Sequence, residues 1–173
     1  FSLPNERVMS EEGALFRSYC TQEKILLTPE KSISVQRAIG SDIMMVLDQC
    51  VPSTVSLKEA EIAMHLTHRW ARRSLEARGD SAQALFGIVQ GGRNEKLRKE
   101  SAEFIGSLEF DGFGIGGSFE KEDMDKAVEW CNKILPKEKP KLYQKLTESE
   151  PYFILIDYPV FISYTTNEIT FVS

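Results

Sequence analysis

A chain of 173 residues that is 42% hydrophobic and 27% charged has the composition of one soluble globular domain, which excludes a disordered chain. No apolar run approaches the roughly 20 residues that a membrane-spanning helix requires. A net charge of −5 argues against a broad basic field for nucleic acid, although it leaves room for a local basic patch.

Phe1-Ser2-Leu3-Pro4-Asn5 has no basic stretch followed by an apolar core, so it is not read as a signal peptide; lacking an initiator methionine, it is read as the start of a segment within a longer protein. From about Val8 to Leu27 a strand pair is expected around Ala14–Arg17 and Ile25–Leu27. Thr28-Pro29-Glu30-Lys31 opens a helix, with Thr28 as cap and Pro29 at the first helical position, and Gly40 stops it. Asp42–Leu47 is a continuous apolar run of the kind found in parallel strands buried on both faces. Ser56 with Glu59 forms a capping box that opens a long helix to about Ala77. Ala84–Val89 is the second buried strand and ends in Gln90-Gly91-Gly92. An amphipathic helix from about Asn94 to Leu108 follows, then a short strand at Asp111–Ile115 ending in Gly116-Gly117, then a helix over Lys121–Leu135. The segment after Glu150 is rich in Tyr, Phe, Ile and Thr and reads as two or three short strands.

Three β–α units in a row predict a parallel sheet, either doubly wound and open or part of a (β/α)8 barrel. Ligands in both architectures bind at the carboxyl ends of the strands. Asp48, Gln90 and Gly116-Gly117 fall at those ends. A carboxylate accepts two adjacent N–H donors, an amide offers donors and an acceptor, and a glycine pair lets backbone N–H groups approach a ligand. Such a set complements the edge of a guanine-type purine. Taken singly, each has a plainer reading: Asp48 as a turn cap, Gln90-Gly91-Gly92 as a strand-to-helix turn, and Gly114–Gly117 as a loop whose spacing fits no phosphate motif.

The cysteines Cys20, Cys50 and Cys131 form no pair motif, which suits a reducing cytoplasm. Cys50 has no histidine partner nearby and reads as a small buried thiol. His65 and His68 lie three apart with no third ligand at matching spacing, so they are read as part of a helix surface. In Arg69-Trp70-Ala71-Arg72-Arg73 the tryptophan is expected in the core and the arginines solvated or paired with Glu76; phosphate contact is the other reading.

These residues carry a resemblance. Ser10-Glu11-Glu12-Gly13, Phe16-Arg17-Ser18, Leu27–Ile33 with Gln36, Gly40–Met44, Leu47–Cys50, Phe86–Gly92 and Phe110–Gly117 are similar, in order and spacing, to bacterial tRNA-guanine transglycosylases, also called queuine tRNA-ribosyltransferases. The resemblance covers about Val8 to Pro140. It implies the central segment of a partial (β/α)8 TIM barrel in residues 1–140, with 141–173 a tail resembling nothing in the family.

It also implies exchange of guanine for a 7-deazaguanine in tRNA through a covalent intermediate on an aspartate. Asp48 would read the pyrimidine edge of the base, Gln90 and the Gly117 N–H would contact its carbonyl, and Gly116 and Cys50 would line the pocket. The resemblance implies zinc for the intact enzyme. The segments that would carry the nucleophile and the zinc ligands have no counterpart here, so no catalytic residue and no metal site are expected in this chain. Ser118-Phe119-Glu120 replaces the family's small apolar stretch after the glycine pair. The implied partners are tRNA and guanine or a 7-deazaguanine, together with a second copy or a complementing subunit, in the cytoplasm. Two other classes stay open: a catalytically silent base- or tRNA-binding homologue, and an unrelated α/β phosphate-binding enzyme.

Overall fold

The computed structural model describes the backbone of residues 6–117, 121–146, 151–156, 161–165 and 168–172, and the side chains of residues 6–117 and 123–142. Ser118-Phe119-Glu120 and the side chains of the C-terminal strands lie outside the described residues.

Three short strands, β1 (Val8–Met9), β2 (Ala14–Arg17) and β3 (Lys24–Leu27), form an antiparallel sheet, with Ala14 opposite Leu27 and Arg17 opposite Lys24. Helix α1 (Pro29–Ile39) begins where Thr28 accepts a hydrogen bond from the Lys31 N–H and ends at Gly40, whose φ of 79° is the left-handed cap. Then come β4 (Ile43–Met45), α2 (Leu57–Arg78), β5 (Ala84–Val89), α3 (Glu95–Gly106), β6 (Gly112–Ile115), α4 (Lys121–Asn132) and β7 (Lys141–Leu146). Strands β4, β5, β6 and β7 pair in that order and all in parallel, so the expected α/β sheet is present. Strand β8 (Pro151–Ile156) pairs antiparallel to β7, while β9 (Phe161–Thr165) and β10 (Glu168–Val172) form a separate hairpin.

The core lies between this sheet and the helices. Met44, Val46, Leu85, Val89, Phe113 and Ile115 from the sheet meet Ile33, Ala71, Ala102, Ile105, Cys131 and Leu135 from the helical side, all less than 10% exposed. Each Val, Leu, Ile, Met or Phe side chain among them contributes roughly 1.5–3 kcal/mol on burial. The capping box of α2 is formed in both directions: the Glu59 N–H donates to Ser56, and the Ser56 N–H donates to the Glu59 carboxylate.

Three elements differ from the sequence expectation. Strand β4 is shorter than the run Asp42–Leu47. Its partner-facing bonds are made at Asp42, whose carbonyl accepts from Ala84, and at Val46, whose N–H donates to Phe86; Met45 therefore presents its N–H and C=O to the other edge. There Gln36 of α1 takes both, accepting from Met45 N–H at 2.8 Å and donating to Met45 C=O at 2.9 Å. A side-chain amide thus stands where a neighbouring strand would pair. Gln36→Ala is expected to cost about 1–2 kcal/mol and to speed exchange of the Met45 amide, which urea unfolding and hydrogen exchange would read out.

Helix α4 ends at Asn132 rather than Leu135, where the Ile134 N–H tightens to an i→i−3 bond to the Cys131 carbonyl that Leu135 also shares, and Leu135 sits in the core. Finally, the arginines of α2 pair elsewhere than with Glu76. Trp70 is fully buried and donates its indole N–H to the Glu11 carbonyl, as the core reading of this cluster expects. Arg69 pairs with the Glu11 carboxylate at 2.8 Å and Arg73 with Glu30 at 2.7 Å, because α2 packs against the β1–β2 turn and α1. The Arg73 guanidinium holds the Glu30 carboxyl down at about 2.

Candidate functional site

The carboxyl ends of β4, β5 and β6 converge on one small polar group. Gln90 is the first residue beyond β5 and is only 2% exposed. Behind it the chain turns at Gly91 and Gly92, with φ of 126° and 58°, before Asn94 caps α3 by accepting from the Leu97 N–H. A side chain at Gly91 would stand 2.8 Å from the Arg98 backbone nitrogen as well as requiring an unfavourable φ, so only glycine fits the turn.

Asp48 lies three residues beyond β4, in a loop that is tied to α2 where the Gln49 N–H donates to the Thr67 hydroxyl. The Gln90 amide donates to Asp48 Oδ2 at 2.5 Å across a sequence separation of 42 residues. Gly116, the first residue after β6, completes the contact: a Cβ there would meet Gln90 Nε2 at 2.7 Å. Its glycine is what leaves room for the amide to lie between two strand ends. Gly117 follows with a φ of 139°.

Burial pushes the Asp48 carboxyl above its ordinary range, and the hydrogen bond from Gln90 pulls against that shift. Cys50 is half-buried close by, within reach of the Gln90 side chain. Burial first, and the Asp48 charge second, raise its thiol, which opposes formation of a nucleophilic thiolate. A separate cleft of about 250 Å³, lined by none of Asp48, Gln90, Cys50 and Gly116, lies between Pro52, Ser53 and Val55 of the β4–α2 loop and Gly91 to Asn94 of the β5–α3 turn.

The structure therefore brings Asp48, Gln90, Gly116 and Cys50 together, with Gly117 next in the chain. It sets the two histidines apart from them in role. His68, read from the sequence as part of a helix surface, is 5% exposed: it stacks on Phe104 with ring centroids 4.2 Å apart, and its Nε2 bonds Ser101 Oγ at 3.0 Å. The α2–α3 packing buries it, whereas His65, one turn earlier on the outer side, faces Glu100 at 3.7 Å. Among the described residues no three His, Cys, Asp or Glu side chains stand together as a metal site, so nothing in them fits the zinc implied for the whole enzyme. No helix among the described residues is long and apolar enough to cross a membrane.

Sequence reasoning missed two residues behind this site. Arg98, fully buried, donates to the carbonyls of Val89, Gly92 and Gly116, and Ser101, also fully buried, accepts from the Gln90 backbone N–H at 3.1 Å. Their signal was present: positions 98, 101, 102 and 105 fall on one face of a helix, the face that carries Ala102 and Ile105 into the core.

A parallel α/β sheet with a carboxylate, an amide and a glycine pair at its strand ends defines an enzyme scaffold of the strand-end-binding class. The comparisons narrow this. The family profile described as "Queuine tRNA-ribosyltransferase" matches residues 1–150. A queuine tRNA-ribosyltransferase of Saccharophagus degradans is 45% identical over 144 residues, and one of Francisella tularensis subsp. tularensis is 46% identical over 144 residues; each match takes in 82% of this chain. The chain belongs to the queuine tRNA-ribosyltransferase, or tRNA-guanine transglycosylase, family of glycosyltransferases. It spans 38% and 39% of the length of those two relatives.

Proposed function

We propose that this chain supplies the base-recognition wall of a tRNA-guanine transglycosylase, in the central segment of a (β/α)8 barrel that exchanges guanine in tRNA for a 7-deazaguanine. The observation that carries this reading is the contact between Asp48 and Gln90 at 2.5 Å, made across two neighbouring strand ends with Gly116 leaving space for it. A purine of the guanine type presents N1–H and a 2-amino group side by side, and O6 next to them. Asp48 accepts from the two N–H groups, Gln90 turns its amide to O6, the Gly117 N–H donates beside it, and Cys50 lines the pocket. A half-buried carboxylate and a buried amide already stand side by side, so a base has to displace only the hydrogen bond between them.

The residues of this chain bind and orient the base; the attacking aspartate and the zinc ligands belong to segments of the family that the sequence does not match. Strand β7, which continues the parallel sheet, reads Lys141-Leu142-Tyr143-Gln144, in the stretch beyond Pro140 whose residues resemble no family motif although the family match runs on to residue 150. That divergence favours a second reading, a catalytically silent subunit that holds base or tRNA and completes an active partner. Calorimetric titration with guanine and with 7-aminomethyl-7-deazaguanine tests the shared premise: saturable binding is expected, and its absence in folded protein would overturn both readings. Guanine exchange into tRNA by the binding-competent chain alone would then decide for the enzyme over the silent subunit.

A further inference from the structure

We propose that Arg98 and Ser101 of α3 are positioning residues for base recognition, fixing the backbone from which Gln90 and Gly117 reach the ligand; this rests on the base-recognition reading of those two residues. Arg98 donates through Nε to Gly92 O at 2.7 Å, and through Nη1 to Val89 O at 3.0 Å and Gly116 O at 2.6 Å. Val89 and Gly92 flank the Gln90 turn on both sides, and Gly116 precedes Gly117. One guanidinium therefore joins the ends of β5 and β6. Being planar and rigid, with its donors at fixed spacing, it sets the separation of those ends more sharply than an ammonium would.

Ser101 supplies the second anchor. Its Oγ accepts from the Gln90 N–H at 3.1 Å and is hydrogen-bonded to His68 Nε2 at 3.0 Å. The Gln90 backbone is thus held at its own nitrogen and at the carbonyl before it, while Gly116 leaves room for its side chain to reach Asp48. The choice of residue at 98 is informative. Burying a guanidinium against carbonyls carries a heavy desolvation cost, and an aliphatic side chain would serve the packing of α3 as well. What an aliphatic side chain would not do is span two strand ends. The geometry points to a function for the charge at the site itself: a clamp that keeps two donors for a base carbonyl at a constant distance.

The test uses the full chain, with Ser101→Ala, Ser101→Thr and Arg98→Lys. In the ligand-free protein, Ser101→Ala is expected to shift the Gln90 side-chain NH2 resonances in ¹⁵N NMR, and Arg98→Lys those of the Gly117 amide, with Ser101→Thr close to the unaltered protein. Guanine affinity, by calorimetry, is expected to fall about tenfold in Ser101→Ala and in Arg98→Lys, the loss of roughly one hydrogen bond. Binding of 6-thioguanine, which keeps N1–H and the 2-amino group but places a weakly accepting sulfur at position 6, is expected to stay within about twofold. Unmoved Gln90 and Gly117 resonances, or equal weakening of the two purines, would reduce both residues to general supports of the fold and overturn the proposal. If the unaltered chain binds no guanine, the base-recognition reading fails by itself, and the ligand-free resonances still decide whether Arg98 and Ser101 hold these groups.

Discussion

Asp48→Ala is expected to lower guanine affinity by at least about 100-fold, with the fold retained. A carboxylate that accepts from N1–H and the 2-amino group makes two charge-assisted hydrogen bonds, each worth roughly 1.5–3 kcal/mol. Removing it also leaves both base donors unpaired in a half-buried site, and about 3 kcal/mol corresponds to about 100-fold in affinity. Asp48→Asn separates charge from shape: an amide can accept from one donor while its NH2 opposes the other. It is expected to fall between the alanine variant and the unaltered chain. Calorimetric titration, with circular dichroism to verify the fold, measures both; unchanged affinity in Asp48→Ala would remove Asp48 from the site.

The pH dependence of binding follows from the same carboxyl. Burial raises the Asp48 carboxyl above its ordinary 3.8, so in the folded chain it becomes protonated earlier on acidification than an exposed aspartate does. Protonated, it accepts poorly, and base affinity falls as pH drops through that raised value. Folding runs the other way. A carboxyl raised in the native state contributes stability that is fully present below 3.8 and is lost as pH rises through the folded value. The ionised carboxyl thus works against the fold and in favour of the ligand, the local conflict that functional sites show.

How far the sequence revealed all this depends on the reach of each signal. Strand β5 is legible to the residue, Ala84–Val89, because a continuous apolar run stops at Gln-Gly-Gly and the signal is entirely local. The convergence of Asp48, Gln90 and Gly116 is legible one step further out, through the rule that parallel strands carry their chemistry at one end. The hydrogen bond between Asp48 and Gln90 is not, since it depends on the register of β4 with β5, where Ile43 faces Ala84. The pairing of the α2 arginines with Glu76 fails for the same reason, while Arg72 is exposed as the solvated alternative expects. Glu76 is near in sequence, whereas Glu11 and Glu30 become neighbours only when the β1–β2 turn and α1 pack onto α2. Arg98 and Ser101 were passed over because α3 is rich in charge, and a polar residue on it reads as solvated; only their place on the apolar face distinguishes them.

His68 is expected to make the fold strongly acid-sensitive in a window set by its own burial. Enclosed between Phe104 and Ser101, it has its imidazole pushed down to about 4, chiefly by loss of water, with His65 and Arg69 adding to the effect. Its Nε2 shares the Ser101 hydroxyl with the Gln90 N–H, so the ring lies one hydrogen bond away from the Gln90 backbone. The unfolded chain takes up a proton near 6.5 and the native chain only near 4, so the unfolded state binds more protons between those values. Stability is therefore full above about pH 6.5, declines as pH falls, and levels off below about pH 4. The total loss from this group is about 3 kcal/mol at 1.36 kcal/mol per pH unit. Glu30, held down at about 2 by Arg73, adds its own loss below 4.5, and Asp48 acts in the opposite sense, so the informative quantity is the difference between two chains. His68→Gln is expected to flatten the slope of unfolding free energy between pH 6.5 and 4 without changing it below, as measured by urea titration at a series of pH values. Equal slopes in the two proteins would mean that His68 gains its proton in the native state at little cost, and that the link from His68 through Ser101 to Gln90 does not depend on the neutral ring.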